Sequence, residues 1–424
     1  MNTNEYYTDT SFSTKVGTVN IFPTIDNLMG YIDGKNNHIY GLYITSNNEA
    51  NLINNFTLGE LKNIRFENSY IGGQNSSSLI GNLENSSVEN LVFVGTINTS
   101  LTTKNYSNTE NAFFFPLYEE HNLPYPGIEE GSKVLSTKLT GVYHDPNEGD
   151  ADDDFLLKVN GEEFGTSEFE ITNFDIKEPV IFEFQTDMAY ERGYGPINEV
   201  EITDLTLEIT YQKGTSSLIK NSTNGTISNV LTKGNITGGT ISNGILYQGD
   251  SVALNNVENE AEIRSECSSS GIVGITDSTS YNTVLNKANI STNENNTCLF
   301  SFDDTNSISS GITISSTNDV IEKALNLGTV NSGDIEVEHS GYSENAIYTS
   351  SYYELNKTAF GNLSNDAYEN LSATAPKVIR SNDFISAFFN DNTTWKITQK
   401  GRKRKYFWLP VYLHRRTYIF GMNH

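Results

Sequence analysis

Long apolar runs are missing from this 424-residue chain: no stretch approaches the roughly 18 consecutive apolar residues that a membrane-spanning helix needs. Insertion into a membrane is therefore not expected. Cysteine is nearly absent, with only Cys267 and Cys298. No CxxC marks a metal site, and two residues make no disulfide framework; two small buried thiols is the favoured expectation. They pair only if the fold brings their Cα atoms within about 7 Å. Positive charge is scarce. Lys and Arg total 27 against 53 Asp and Glu, a net charge of -26. Such a surface repels phosphate backbones, so nucleic acid is not an expected partner. The first residues, MNTNEYYTDTSFS, hold neither a basic n-region nor an apolar h-region, so they do not read as a signal peptide. Synthesis and assembly in a cytoplasm is the expectation that follows.

Motifs for catalysis are also wanting. The six histidines form no HExxH and no pair at ligand spacing. His38 reads as a turn or packing residue. No GxSxG places a nucleophile elbow, and no Walker or dinucleotide glycine motif follows a strand. Asp303 and Asp304, with Asp277 about one coil earlier, are the best carboxylates for a polysaccharide-cleaving site, though a solvated turn explains them more simply. The chain is expected to be non-catalytic.

What the sequence has instead is Asn, Ser, Thr and Gly, the residues of tight corners. It also has a repeat. GELKNIRF places Asn63 and SSVENLVF places Asn90, 27 residues on; GTISNV places Asn229 and ALNNVENE places Asn256, again 27 on. YNTVLNKANI (Asn286) and EKALNLGTV (Asn326) continue the pattern more loosely. Each unit reads small-x-apolar-x-Asn-apolar-x-x-x-x-apolar. Short alternating segments that return every coil stack as parallel strands about 4.8 Å apart. Ile64, Leu91, Val230 and Val257 then share one column, and the asparagines take left-handed corners and bond to one another. About 240 residues at roughly 27 per coil give about nine coils, a stack of about 40–45 Å.

The phrase GYIDGKNNHIYGLYI (Gly30 to Ile44) resembles the opening of GLUG-repeat and related right-handed β-helix surface proteins. GELKNIRFENSYI and SSSLIGNLENSSVENLVFVGTI look like the next two coils. SNDFISAFFNDNTTWKITQKG…FWLPVYLH (Ser381 to His414) is similar to the closing segment. The resemblance covers roughly 21–111 and 213–414. It implies a parallel β-helix with adhesive or structural roles at a surface, in the manner of adhesins or phage tailspikes, and it transfers no catalytic residue.

The expected fold is all-β: a right-handed parallel β-helix interrupted by an antiparallel β-sandwich of jelly-roll type. Coils occupy 1–112, the sandwich 113–212, further coils 213–375, and a cap or docking segment 376–424. The inserted stretch holds most of the prolines and shows period-two alternation in KVLSTKLTGVYH, DFLLKVNGEEF, SEFEITNF, PVIFEFQTD and EVEITDLTLEITYQ. In the last of these, Val200, Ile202, Leu205, Leu207 and Ile209 line one face if a bulge falls near Thr203–Asp204.

Two loops of the insert are candidate sites. DPNEGDADDD crowds six carboxylates into ten residues. Asp145, Asp150, Asp152 and Asp154 are candidate Ca²⁺ ligands there, the alternative being a solvated acidic hairpin; no other cofactor is expected. MAYERGYGPIN interleaves Tyr190 and Tyr194 with Arg192, which suits a sugar ring or a protein partner, or local packing of the loop. From Lys396 onward eight residues are Lys or Arg, among them Arg402, Arg404, Arg415 and Arg416, with Trp408 between them. That end is a candidate docking surface and solenoid cap.

The expected function is a structural and binding component of a virion surface or tail, a fibre or spike that recognises a host glycan or receptor. Its partners would be other surface-assembly proteins or copies of itself, in a trimer for instance. A cell-surface adhesin is the alternative, and a polysaccharide-degrading tailspike a weaker one.

Overall fold

A computed structural model describes residues 3–7, 15–20, 22–115, 118–121, 123, 128, 131–144, 155–164, 168–186, 200–293, 296–299, 307–331, 334–364, 367–369, 371–381, 384, 395–400 and 403–408. The protein is all-β apart from one short helix, Pro376–Ile379, among those residues. It divides into two units. The first comprises Met1–Thr102, Gly214–Asn296 and Thr305–His424; the second, Thr103–Lys213 and Thr297–Asp304.

The first unit is built on one 26-stranded sheet whose strands, among the described residues, pair in parallel. One column shows the coiling. Asn27, Asn55, Asn82, Asn221, Gln248, Ile275, Ser315, Tyr342 and Asn362 pair in succession, one residue per rung. The residues Thr103–Lys213 leave no gap in this ladder, because Ser76 pairs directly with Thr215 and Val88 with Ile227. The rungs on either side of the departure point still stack, so the long excursion costs the ladder nothing.

Corners and core follow from the repeat. Asn63, Asn90, Asn229 and Asn256 all adopt φ between 52° and 54°. Asn90 Nδ2 donates to Asn63 Oδ1 at 2.9 Å, and Asn256 Nδ2 to Asn229 Oδ1 at 3.1 Å. Beside them Ile64, Leu91, Val230 and Val257 form one inner column, continued by Val284 and Ala324. Asn tolerates the left-handed region that a β-branched residue does not. Asn90→Val should therefore cost about 1–2 kcal/mol in thermal or denaturant unfolding, and Asn90→Gly markedly less.

Asn286 and Asn326 depart from the expected pattern. The corner positions of their coils are Thr283 (φ 60°) and Lys323 (φ 57°). Asn286 and Asn326 lie three residues further on, in register with Asn259, inside the coil. There they build a buried amide ladder: Thr232 Oγ1 donates to Asn259 Oδ1 (2.7 Å), Asn259 Nδ2 to Asn286 Oδ1 (2.9 Å), Asn286 Nδ2 to Asn326 Oδ1 (2.7 Å), and Asn326 Nδ2 to Glu338 Oε2 (2.8 Å). The spacing loosens because Ser268 pairs with Ile308, a coil of 40 residues rather than 27.

Polar groups also line a second inner column, Ser77, Ser216, Ser242, Ser269 and Ser309. Most of these hydroxyls donate to a carbonyl across the coil, as Ser77 does to Asn98 and Ser216 to Thr237, each at 2.8 Å. Buried hydroxyls are tolerable on that condition.

The second unit holds two antiparallel sheets around its own core. One pairs Ser132–His144 with Glu168–Thr172, Val200–Lys213 and Thr297–Leu299. The other joins Tyr118–His121, Phe155–Val159, Glu162–Phe164 and Val180–Thr186. Leu139, Ile202 and Leu207 of the first meet Leu157, Val159 and Phe182 of the second. Asp204 (φ 53°) carries the bulge that keeps Ile202, Leu205, Leu207 and Ile209 all buried. Asn160 and Gly161, both at positive φ, make the tight turn of VNGEE.

One expectation is corrected. Cys267 and Cys298 are disulfide-bonded rather than separate thiols. Pairing depends on where the fold places the two Cα atoms, which spacing along the chain does not reveal.

Candidate ligand-binding face

Among the described residues, the first two rungs carry a set of exposed aromatic and charged groups. Strand alternation decides which side chains those are. Ile39 and Phe66 are partners in one column, above Phe93, whose ring lies 6.5 Å from that of Phe66. Their chain neighbours point the other way, so His38 pairs with Arg65 and Tyr40 with Glu67 on the outer side. Gly41, at φ 67°, then turns the chain, and its N–H donates to the Glu67 carbonyl at 2.9 Å. Past that corner Tyr43 sits over Tyr70, with ring centroids 5.2 Å apart and planes 20° from parallel. Tyr31 (85 % exposed) and Tyr40 (53 % exposed) stand in solvent.

Glu67 is the electrostatic centre. Arg65 Nε donates to its Oε1. The Tyr40 hydroxyl also bonds to it, and His38 Nδ1 lies 3.0 Å from that hydroxyl and 3.7 Å from the carboxylate. Partial burial pushes the carboxyl up, but the bonds from Arg65 and Tyr40 and the charges of Arg65 and His38 outweigh it and hold Glu67 below its ordinary value. The hydrogen bond to Glu67 raises the Tyr40 hydroxyl, with burial adding to it. Asp33, nearby in sequence, is lowered chiefly by the Asn63 amide (3.0 Å) and the Lys35 N–H (2.8 Å).

Chemically this face offers aromatic planes, a fixed anion and a guanidinium. It suits a ligand with apolar ring faces and many hydroxyls: the rings stack, the carboxylate accepts, and Arg65 donates. Sequence reading passed over these residues. The usable signal was Tyr43 and Tyr70 standing 27 residues apart, one coil.

The residues singled out from sequence are placed as follows. Asp145, Asp150, Asp152, Asp154, Tyr190, Arg192, Tyr194, Asp303, Asp304, Arg402, Arg415 and Arg416 lie outside the described residues. Arg404 and Trp408 belong to a hairpin that pairs Trp395–Lys400 with Lys403–Trp408, Gln399 opposite Arg404 and Trp395 opposite Trp408. Asp277 is on an outer column next to Asp250, accepting from Asn318 Nδ2 and Ser278 Oγ, each at 3.0 Å. Those bonds are the ties of a solvated corner. Among the described residues no group of three or more His, Cys, Asp or Glu is arranged to hold a metal ion, and no helix is long and apolar enough to cross a membrane.

Other carboxylates are buried. Asp319 accepts from Thr276 Oγ1 (2.6 Å), the Thr279 N–H (2.7 Å) and Ser316 Oγ (2.8 Å), and burial pushes it up to about 7. Glu258, 1 % exposed, is likewise pushed up to about 7 by burial, against the pull of Lys287. Burial takes His339 down to about 4, although its Nε2 lies 3.1 Å from the Tyr352 carbonyl. No ligand in solvent reaches these groups, so they are part of the scaffold.

No family model matches the chain, and no curated protein does either. Two solved structures are similar to it in part. A glycoside hydrolase aligns over 78 % of this chain and 92 % of its own at 6 % identity, with a TM-score of 0.14. The tailspike of Acinetobacter baumannii bacteriophage AP22, in complex with A. baumannii capsular saccharide, aligns over 73 % of this chain and 53 % of its own at 9 % identity, also with a TM-score of 0.14. At that score neither likeness bears weight, and the fold stands on the parallel sheet itself.

Proposed function

We propose that the chain is a non-catalytic structural and binding component of a virion surface or tail, which displays a glycan-recognition face on a rigid stack of coils. The observation that carries this reading is the outer side of the first two rungs. There Tyr40 and Arg65 hold an ionised Glu67, Tyr43 stacks on Tyr70 past the Gly41 corner, and Tyr31 stands exposed further along the first rung. Parallel rungs fix the spacing of these groups, so little side-chain order is lost on binding. The acidic surface favours neutral or cationic glycans over acidic ones. In this reading the basic, aromatic C-terminal segment, with Arg402, Arg404, Trp408, Arg415 and Arg416, docks the protein onto other assembly components or further copies of itself.

The test is a glycan array of bacterial surface oligosaccharides, probed with the full chain and with Tyr40→Ala and Arg65→Ala. Both side chains are substantially exposed, so the variants should keep the parent's thermal midpoint. Binding should fall at least about tenfold in each, the loss expected of one stacking or charge-assisted contact. Unchanged binding in both variants, or no binding by the parent to any glycan, contradicts the reading.

A further inference from the structure

One outer column of the first unit begins with His38 and Arg65 and from Val92 to Leu325 is apolar except at a single rung. Val92, Leu231, Glu258, Leu285 and Leu325 pair in succession, and all five are buried. A glutamate in the place of a leucine forfeits apolar burial and takes a charge out of water. Glu258 Oε2 accepts no hydrogen bond. Its Oε1 lies against the Nζ of Lys287, on the next coil. A second carboxylate completes the group: Glu260 interacts with Glu258, its Oε1 is 3.4 Å from the same Nζ, and its Oε2 is held by Lys233 Nζ at 2.5 Å.

We infer that Lys287 and Glu258 are the reactants of an intramolecular amide cross-link between neighbouring coils, with Glu260 as the proton relay. The amine must be neutral to attack and the acid protonated to release water. Burial favours the protonated acid and lifts Glu258 to about 7. Glu260 takes the proton from the Lys287 ammonium. Nζ then adds to Cδ of Glu258, forming the C–N bond. Glu260 returns that proton to the departing hydroxyl, the C–O bond breaks, and the surplus proton on Nζ passes to Glu260. An ammonium and a carboxylic acid become one amide, one water and one proton held by Glu260, with no change of oxidation state and no outside reagent. Fixed contact between the two groups supplies the effective concentration. The product ties the coil of Glu258 to that of Lys287, so that neither peels away alone.

Intact mass of the purified full chain tests this. The parent should weigh one water less than its sequence with one disulfide, and digestion should yield a branched peptide joining the Glu258 and Lys287 segments. Glu258→Leu, which completes the apolar column and so should fold, and Lys287→Arg should both show no water loss. Glu260→Ala keeps both reactants and should slow formation about a hundredfold, the worth of a positioned acid–base group. A parent of full mass, with Lys287 open to trypsin after denaturation, overturns the cross-link and leaves an ordinary ion pair.

Discussion

Phe93→Ala should destabilise the coiled unit by about 3–5 kcal/mol, the range for deleting a fully buried aromatic ring. Phe93 is buried inside the coil between Phe66 on one rung and Thr232 on the next. Its ring closes the aromatic part of an inner column that continues as the amide ladder of Asn259, Asn286 and Asn326. Removing it opens a cavity where the column changes from apolar to polar. The backbone on both sides is fixed by parallel pairing to neighbouring rungs, so collapse into the gap is limited. Stability in stacked repeats is a sum of rung and interface terms, so the loss should be local at first. Hydrogen exchange should quicken in the rungs holding Phe66, Phe93 and Thr232 before the denaturant midpoint of the whole unit moves. Phe93→Leu, which refills most of the space, should recover more than half of the loss. A midpoint unchanged by Phe93→Ala would mean that this column is not packed as described.

The second large effect is set by pH. The Asp319 side chain is 0 % exposed, and burial lifts its carboxyl to about 7 in spite of the three donors around it, with Asp277 adding a smaller push. In the unfolded chain an aspartate titrates near 3.9. Between these values the folded state keeps a proton that the unfolded state has lost. The contribution is therefore fully present below about pH 4 and is lost as pH rises through about 7. Three pH units correspond to about 4 kcal/mol, on the order of the largest single effect expected here. The parent should thus unfold at lower denaturant at pH 8 than at pH 5. Asp319→Asn, neutral at every pH and still able to accept from the Thr279 N–H, should lack that part of the slope. Whatever Glu258, Glu338 and His339 contribute is common to both proteins, so the difference between the two profiles isolates Asp319. Parallel profiles would place the carboxylate in an ionised, hydrogen-bonded state throughout.

The sequence disclosed the coil but not every use made of it. Asn63, Asn90, Asn229 and Asn256 were legible as corners because only a few residue types accept φ near 53° and because 27 residues separate them in pairs. The same reasoning misplaced Asn286 and Asn326. An extra stretch between Thr292 and Ile308 lengthens that coil, and Thr283 and Lys323 hold the corner with no asparagine to mark it. Asparagine serves two purposes in this fold, at the left-handed corner and in the buried ladder, and composition does not separate them. The Asp204 bulge was legible because the apolar alternation breaks there by one residue. The disulfide was not, since it depends on distance through space. Nor was the aromatic face. Tyr40, Tyr43, Glu67 and Tyr70 look like ordinary strand residues until successive coils are laid in register, when Tyr40 meets Glu67 and Tyr43 meets Tyr70.

All of this depends on one physical condition within the first unit, that each coil lies on the last with like positions aligned. Spin labels report it directly. With one label at Asn27 and the second at Gln248, Ser315 or Tyr342, partners in a single column four, six and seven rungs away, the backbone separations should be about 19, 29 and 34 Å at about 4.8 Å per rung. Distances that rise in that order and by those steps are the predicted result. A set that fails to increase with rung number, or in which Tyr342 lies nearer to Asn27 than Gln248 does, would contradict the stacked coil and every site built on it.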